Sequence, residues 1–171
     1  MLLKFLLIAV FYLAVSACGF EPLYGSKYSE NIIADFSAIR VAPIKDRIGQ
    51  LLSNELKHLL NPLHTPVNPK YRLVTTLTQS TRSLAVKKTA LATRANLLIS
   101  SSHQLVDTQS QQVLTSALNS ITVSYNIYSS HYATTSAEKD AIKRATKELA
   151  QDIRLQIGVF FKAYNKRSIV Q

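Results

Sequence analysis

Four groups of side chains in this sequence could do chemistry: one thiol, Cys18; four histidines, His58, His64, His103 and His131; 10 carboxylates scattered along the chain; and a basic run from Arg82 to Arg94. A single cysteine excludes an internal disulfide framework and any cysteine-based zinc site. The histidines show no metal-ligand spacing, so neither a metal nor another cofactor is expected. There is no Gly-x-Ser-x-Gly turn, no phosphate-cradling glycine loop and no carboxylate pair spaced for general acid–base work. His103 or His131 with a serine and Asp107 would make a formal hydrolytic triplet. In a chain this rich in serine such triplets arise by chance.

The basic run carries more information. Lys87 and Lys88 stand between Arg82 and Arg94, and the segment has no acid to cancel them. Lys and Arg so placed bind phosphate groups, with Lys87, Lys88 and Arg94 the candidates; a solvated loop is the alternative. The whole chain shares the bias, with 20 Lys and Arg against 10 Asp and Glu and a formal net charge of +10. That excess draws nucleic acid, phospholipid headgroups or acidic glycolipid without choosing among them.

The thiol narrows the choice. Met1 to Lys4 is a short basic start, Phe5 to Val15 an uninterrupted apolar run, and Ser16-Ala17 puts small residues before Cys18. The run is too short to span a bilayer comfortably as a permanent helix. Val15-Ser16-Ala17-Cys18 resembles a bacterial lipobox, where the signal is cut before the cysteine and the cysteine carries lipid. Residues 1–17 are read as a lipoprotein signal peptide and Cys18 as the lipidation site. Gly19 follows, where an aspartate would signal retention in the inner membrane. By analogy the mature chain is expected on the periplasmic side of the cell outer membrane, out of reach of cytosolic nucleic acid.

The elements that must position these groups follow from periodicity. Residues 18–36 have turn formers and little pattern, and read as a lipidated tether. Ala38 to Ile44 reads as a short strand with Pro43 at its exit. Asp46 is placed to cap a helix with Ile48, Leu51, Leu52, Leu56, Leu59 and Leu60 on one face, and Asn61-Pro62 stops it. Three strands follow in which apolar residues alternate with polar ones. Leu73 and Leu77, then Leu97, Ile99, His103 and Leu105, then Ile121, Val123 and Tyr125 mark one face. Thr76, Thr78, Ser100, Ser102, Ser120, Thr122, Ser124 and Asn126 mark the other, as a sheet covered on one side requires. The segment from Arg82 to Arg94 reads as the connection between the second and third strands. Thr135 and Glu138 fit a capping box opening a last helix. Ile142, Ala145, Leu149, Ile153, Ile157, Phe160 and Tyr164 form its stripe, with Lys139, Lys143 and Lys147 together away from it.

The expected fold is α/β, an α+β two-layer sandwich of order β-α-β-β-β-α, with two helices on one face of a four-stranded mixed sheet. The first β-α-β step is expected to be a parallel crossover. One domain spans 37–165, and residues 166–171 form a basic C-terminal tail.

Cys18-Gly19-Phe20-Glu21-Pro22-Leu23-Tyr24-Gly25 resembles the start of the lipopolysaccharide-assembly lipoprotein family (LptE-like). The resemblance implies a non-enzymatic outer-membrane lipoprotein that plugs a large β-barrel translocon and helps deliver lipopolysaccharide to the cell surface. It implies the barrel and lipopolysaccharide as partners. Phe20, Leu23 and Tyr24 would then offer apolar surface near the anchor to the membrane interface or to a groove on the barrel; folding back on their own domain is the alternative. An uncharged polar sheet face, with Thr78, Ser102 and Thr122 as its test positions, suits a crowded, hydrated lumen where a charge would need a partner. Ordinary strand preference of Ser and Thr is the competing account. Other functions compatible with the sequence are a different periplasmic lipoprotein accessory, such as a secretin pilot or lipid-transport auxiliary, and a lipid-anchored hydrolase.

Overall fold

The computed structural model describes residues 29–62, 66–85 and 92–168. In chain order the elements are α1 (Ser29–Ser37), β1 (Ile39–Val41), α2 (Asp46–Leu60), β2 (Tyr71–Ala85), β3 (Ala92–Asp107), β4 (Val113–Asn126) and α3 (His131–Ser168). The sheet runs β1-β2-β3-β4, with β1 parallel to β2 and the other two pairs antiparallel. The expected mixed four-stranded sheet with helices packed on it is therefore present, and so is the parallel β-α-β step.

Alternation decides which face the helices cover. Leu73 on β2, Ala95, Leu97, Ile99 and Leu105 on β3, and Val123 on β4 are buried. From the helices come Leu52, Leu56 and Leu60 of α2 and Ala141, Ala145, Leu149, Ile153, Ile157 and Phe161 of α3. These α3 positions recur every four residues. On a 3.6-residue helix such a row winds slowly around the axis, so a helix of 38 residues (about 57 Å) keeps contact while it crosses a twisted sheet. That winding puts Phe161, rather than the expected Phe160 or Tyr164, at the buried end of the row. Phe160 is partly buried and Tyr164 is 46% exposed.

Two helix starts differ from expectation. The N-cap of α2 is Lys45, without a side-chain cap bond, and Asp46 sits in the first turn with φ 67. Its carboxylate still favours the positive end of the helix dipole. Helix α3 opens one turn before Thr135: the Ser130 hydroxyl accepts the Ala133 N–H at 3.4 Å, and the Thr134 hydroxyl accepts the Tyr128 N–H at 2.9 Å. The Ser130 oxygen satisfies a first-turn donor that a helix start leaves open, and the Thr134 hydroxyl ties the turn before the helix to its first turn.

The third difference is α1. Residues 29–36, read as tether, are helical and built into the domain. Ile32 and Phe36 are buried, the Phe36 and Phe161 rings meet edge to face with centroids 6.1 Å apart, and the Arg154 guanidinium lies 5.5 Å from the Phe36 centroid. Asn165 Nδ2 donates to Asp35 Oδ2 at 2.9 Å, and Asn61 Nδ2 donates to the Phe36 and Ser37 carbonyls. The helical stretch of α3 also carries on into the expected tail, to Ser168.

Candidate functional site

The face of the sheet away from the helices is built by the even-numbered residues of the three long strands. Pairing sets them in rows: Thr76–Ser102–Leu118, Thr78–Ser100–Ser120, Ser80–Leu98–Thr122 and Arg82–Asn96–Ser124. Thr78, Ser102 and Thr122 thus fall in three successive rows of one face, and all three are exposed. Thr76, Thr78, Ser100, Ser102, Leu118 and Ser120 help line a shallow groove of ≈440 Å³ across its centre. The side chains bond locally: Ser124 Oγ donates to Asn96 Oδ1 at 2.7 Å, and Thr76 Oγ1 to the Ser102 carbonyl at 3.4 Å.

Two exposed apolar residues stand in the central rows of this surface, Leu98 at 38% and Leu118 at 80% exposure. Their even parity in β3 and β4 is the signal in the sequence that places them here. They give an otherwise hydroxyl-rich face points of dry contact.

The electrostatics are one-sided. Between Glu55 and Glu138 the only acid is Asp107. Its Oδ1 accepts the Ser110 N–H at 2.7 Å, the Ser110 hydroxyl at 3.0 Å and the Gln109 N–H at 2.9 Å. Those bonds, Ser110's first, hold its carboxyl below the usual carboxylate range. The charge is thus occupied within its own turn. Arg72 lies at that end of the face, where Nη2 donates to Gln111 Oε1 at 3.4 Å. Arg82 and Arg94 lie toward the other end.

Arg82 and Arg94 were expected in a connecting loop, but they stand in β2 and β3, opposite Asn96 and Leu84 respectively, and both are exposed. They are near-diagonal neighbours, a placement about 7–8 Å apart in an antiparallel pair. The strands outrun the apolar pattern: Gln79 to Ser83 are polar and exposed while pairing continues to Ala85. Lys87 and Lys88 lie outside the described residues, as do Cys18, Phe20, Leu23 and Tyr24.

The formal hydrolytic triplet is not assembled. His103 is 1% exposed and points to the helix side, whereas Asp107 is engaged in its turn and His131 is exposed at the start of α3. Among the described residues no group of three His, Cys, Asp or Glu could hold a metal ion.

His103 is nonetheless informative. It pairs with Thr75 across the strands, and His103 Nδ1, Thr75 Oγ1 and Ser101 Oγ are buried without hydrogen-bond partners. Burial lowers the His103 pKa below its ordinary 6.5. The folded state therefore keeps this imidazole neutral, while the unfolded chain takes up a proton below about pH 6.5. Its contribution is complete above that pH and lost as the pH falls, with a limiting slope of about 1.4 kcal/mol per pH unit. Urea unfolding of the native chain should show this extra loss between neutral and mildly acid pH, and the His103→Leu variant should show a flatter profile. Parallel profiles for the two chains would refute the assignment.

Residues 36–157 match the model of a family described as LptE, lipopolysaccharide-assembly. No curated protein gives a significant sequence match. Among solved structures, the chain resembles a putative lipoprotein from Caulobacter crescentus, 22% identical, with 78% of this chain and 97% of that chain covered and a TM-score of 0.65. It also resembles rare lipoprotein B from Shewanella oneidensis, 12% identical over 75% and 96% of the two chains, TM-score 0.55. A minor lipoprotein from Acinetobacter baumannii is 15% identical over 72% and 92%, TM-score 0.54. At these identities the structural likenesses establish the shared fold.

Proposed function

The chain belongs to the lipopolysaccharide-assembly family LptE, and from that footing we propose that it is a non-enzymatic outer-membrane lipoprotein that plugs a β-barrel lipopolysaccharide translocon. In this reading Cys18 carries the lipid anchor on the periplasmic side, and the chain helps deliver lipopolysaccharide to the cell surface. The observation that carries the proposal is the sheet face: a net-positive protein keeps the centre of one whole face free of charge and rich in hydroxyls. Such a surface can lie against a hydrated barrel wall without burying an unpaired ion.

Photo-crosslinkers placed at Thr78, Ser102 and Thr122 should capture segments of one large outer-membrane barrel in detergent extracts. Intact-mass measurement of the same preparation should give a lipid-modified chain starting at Cys18. Capture of unrelated proteins while the barrel complex stays intact would remove the face from the interface. A free Cys18 thiol in a soluble product would remove the anchor.

The basic hairpin is proposed to meet the phosphorylated part of lipopolysaccharide through Lys87, Lys88 and Arg94. Exposed ion contacts contribute about 1 kcal/mol or less each, so single changes should look nearly silent. The triple change to Gln should weaken lipopolysaccharide binding about tenfold or more and flatten its salt dependence, because screened charge pairs carry that dependence. Binding isotherms at low and moderate salt check this. Unchanged salt dependence in a folded, barrel-associated triple variant would reduce the segment to a solvated hairpin.

A further inference from the structure

The lysine row of α3 has no part in the function proposed above, yet it borders a second recess on the opposite side of the sheet from the polar face. Lys139 and Lys143 rise from α3 beside Arg47 from the first turn of α2, and all three are exposed. Below them Ile48 and Leu51 of α2 meet Ile142 of α3, each only partly buried. Together these six residues outline a groove of ≈400 Å³, completed by Thr135 and Glu138. Glu138 is the one carboxylate there, and its charge, after burial, helps raise the pKa of the Tyr125 phenol on β4. The rim therefore retains a cationic excess above an apolar floor.

We propose that this groove binds a lipid with a net-anionic phosphate head, with an acyl chain along Ile48, Leu51 and Ile142 and the phosphate held by Arg47, Lys139 and Lys143. Charge complementarity selects the headgroup: three donors on one rim suit a phosphate, which accepts several hydrogen bonds at once. Size selects a single chain over a partner helix. The groove lies at the small end of the roughly 300–1,000 Å³ range of small-molecule sites, and its floor has three apolar residues. An amphipathic helix would need a longer row of anchors. The lysine stems can lie along the floor while their heads stay in water, so an entering chain displaces little bound structure. The site is independent of the barrel and of the basic hairpin.

The test uses the isotope-labelled full chain titrated with lauroyl lysophosphatidylglycerol below its micellar concentration, followed by backbone NMR shifts. Saturable shifts should centre on Ile48, Leu51 and Ile142. Arg47→Gln/Lys139→Gln/Lys143→Gln should weaken binding about tenfold, since each exposed contact adds little alone. These residues are exposed, so the variant should melt like the native chain. Leu51→Gln keeps the rim, removes part of the floor and should weaken binding as well. The proposal fails if shifts map to the β2–β3 hairpin, or if zwitterionic lysophosphatidylcholine binds as tightly. It also fails if inorganic phosphate reproduces the shifts at equal concentration, or if a glutamate-rich peptide fills the groove and excludes the lipid.

Discussion

Replacing Phe161 with alanine should cost about 3–5 kcal/mol of folding stability, a large part of the roughly 5–15 kcal/mol that holds a domain together. Phe161 is fully buried, and three rings surround it: Phe36 of α1 at 6.1 Å, Tyr71 of β2 at 5.0 Å and Phe160 at 5.5 Å between centroids. Truncation removes the apolar surface and, among the described residues, the one ring that contacts all three others, and α1 and the sheet cannot close in on the cavity without giving up their other contacts. For a chain of this size the melting temperature should fall by about 6–20 °C. Because Phe161 is also the ring that α1 packs on, limited proteolysis should first appear between Ser29 and Ser37. Calorimetry and timed digestion check both. A loss under about 1 kcal/mol would mean that the aromatic cluster does not fasten α1 to the domain. Phe160→Ala, at a partly buried position, should cost much less.

The contrast between Phe160 and Phe161 shows where the sequence stops being legible. Apolar residues every three or four positions identify α3 as a helix, but they do not say how its stripe turns as the helix crosses a twisted sheet. That depends on the packing partner, so both Phe160 and Phe161 fit the pattern. Helix α1 was illegible for a related reason. Ile32 and Phe36 are two anchors on a nine-residue segment, too few to stand out before the docking surface of Phe161 and Arg154 is known. At the start of α3 both Ser130 and Thr135 can cap; the structure uses Ser130 and adds Thr134 as a second local acceptor.

The sheet was more legible, because side chains alternate strictly along a strand. Parity alone put Thr78, Ser102 and Thr122 on one face, and it also contained Leu98 and Leu118. What parity cannot supply is register: that Thr78 stands opposite Ser100 and Ser100 opposite Ser120 depends on the connections between strands. Strand length was also obscured. Beyond Leu77 on β2, the residues Gln79 to Ser83 are all polar, so the apolar signal ends while pairing continues as far as Ala85. On the apolar signal alone Arg82 and Arg94 fall in a loop, and the pairing places them in strands.

Register makes the strongest test of the barrel assignment possible. The double variant Thr78→Glu/Thr122→Glu should fold normally and lose the barrel. Both residues are exposed on the polar face, in adjoining rows on strands separated by β3, so the two new carboxylates are offset by two strand widths and one row, about 12 Å, and repel weakly in water. Against a barrel wall the situation reverses. A carboxylate desolvated without a partner costs several kcal/mol, and about 3 kcal/mol at one position already lowers affinity more than a hundredfold. Co-purification in mild detergent should therefore fall below detection, while thermal melting stays within a few degrees of the native chain. Thr78→Ser/Thr122→Ser, which keeps both hydroxyls, should retain the complex. Gln156→Glu, an equally exposed position on α3, should do so as well if the helix side stays clear of the barrel wall. Full recovery of the barrel with the double glutamate variant would place the interface elsewhere on the domain. Loss of the barrel with Gln156→Glu alone would move it to the helix layer. Only selective loss from the sheet face fits a plug whose hydroxyl-rich side is turned to the lumen.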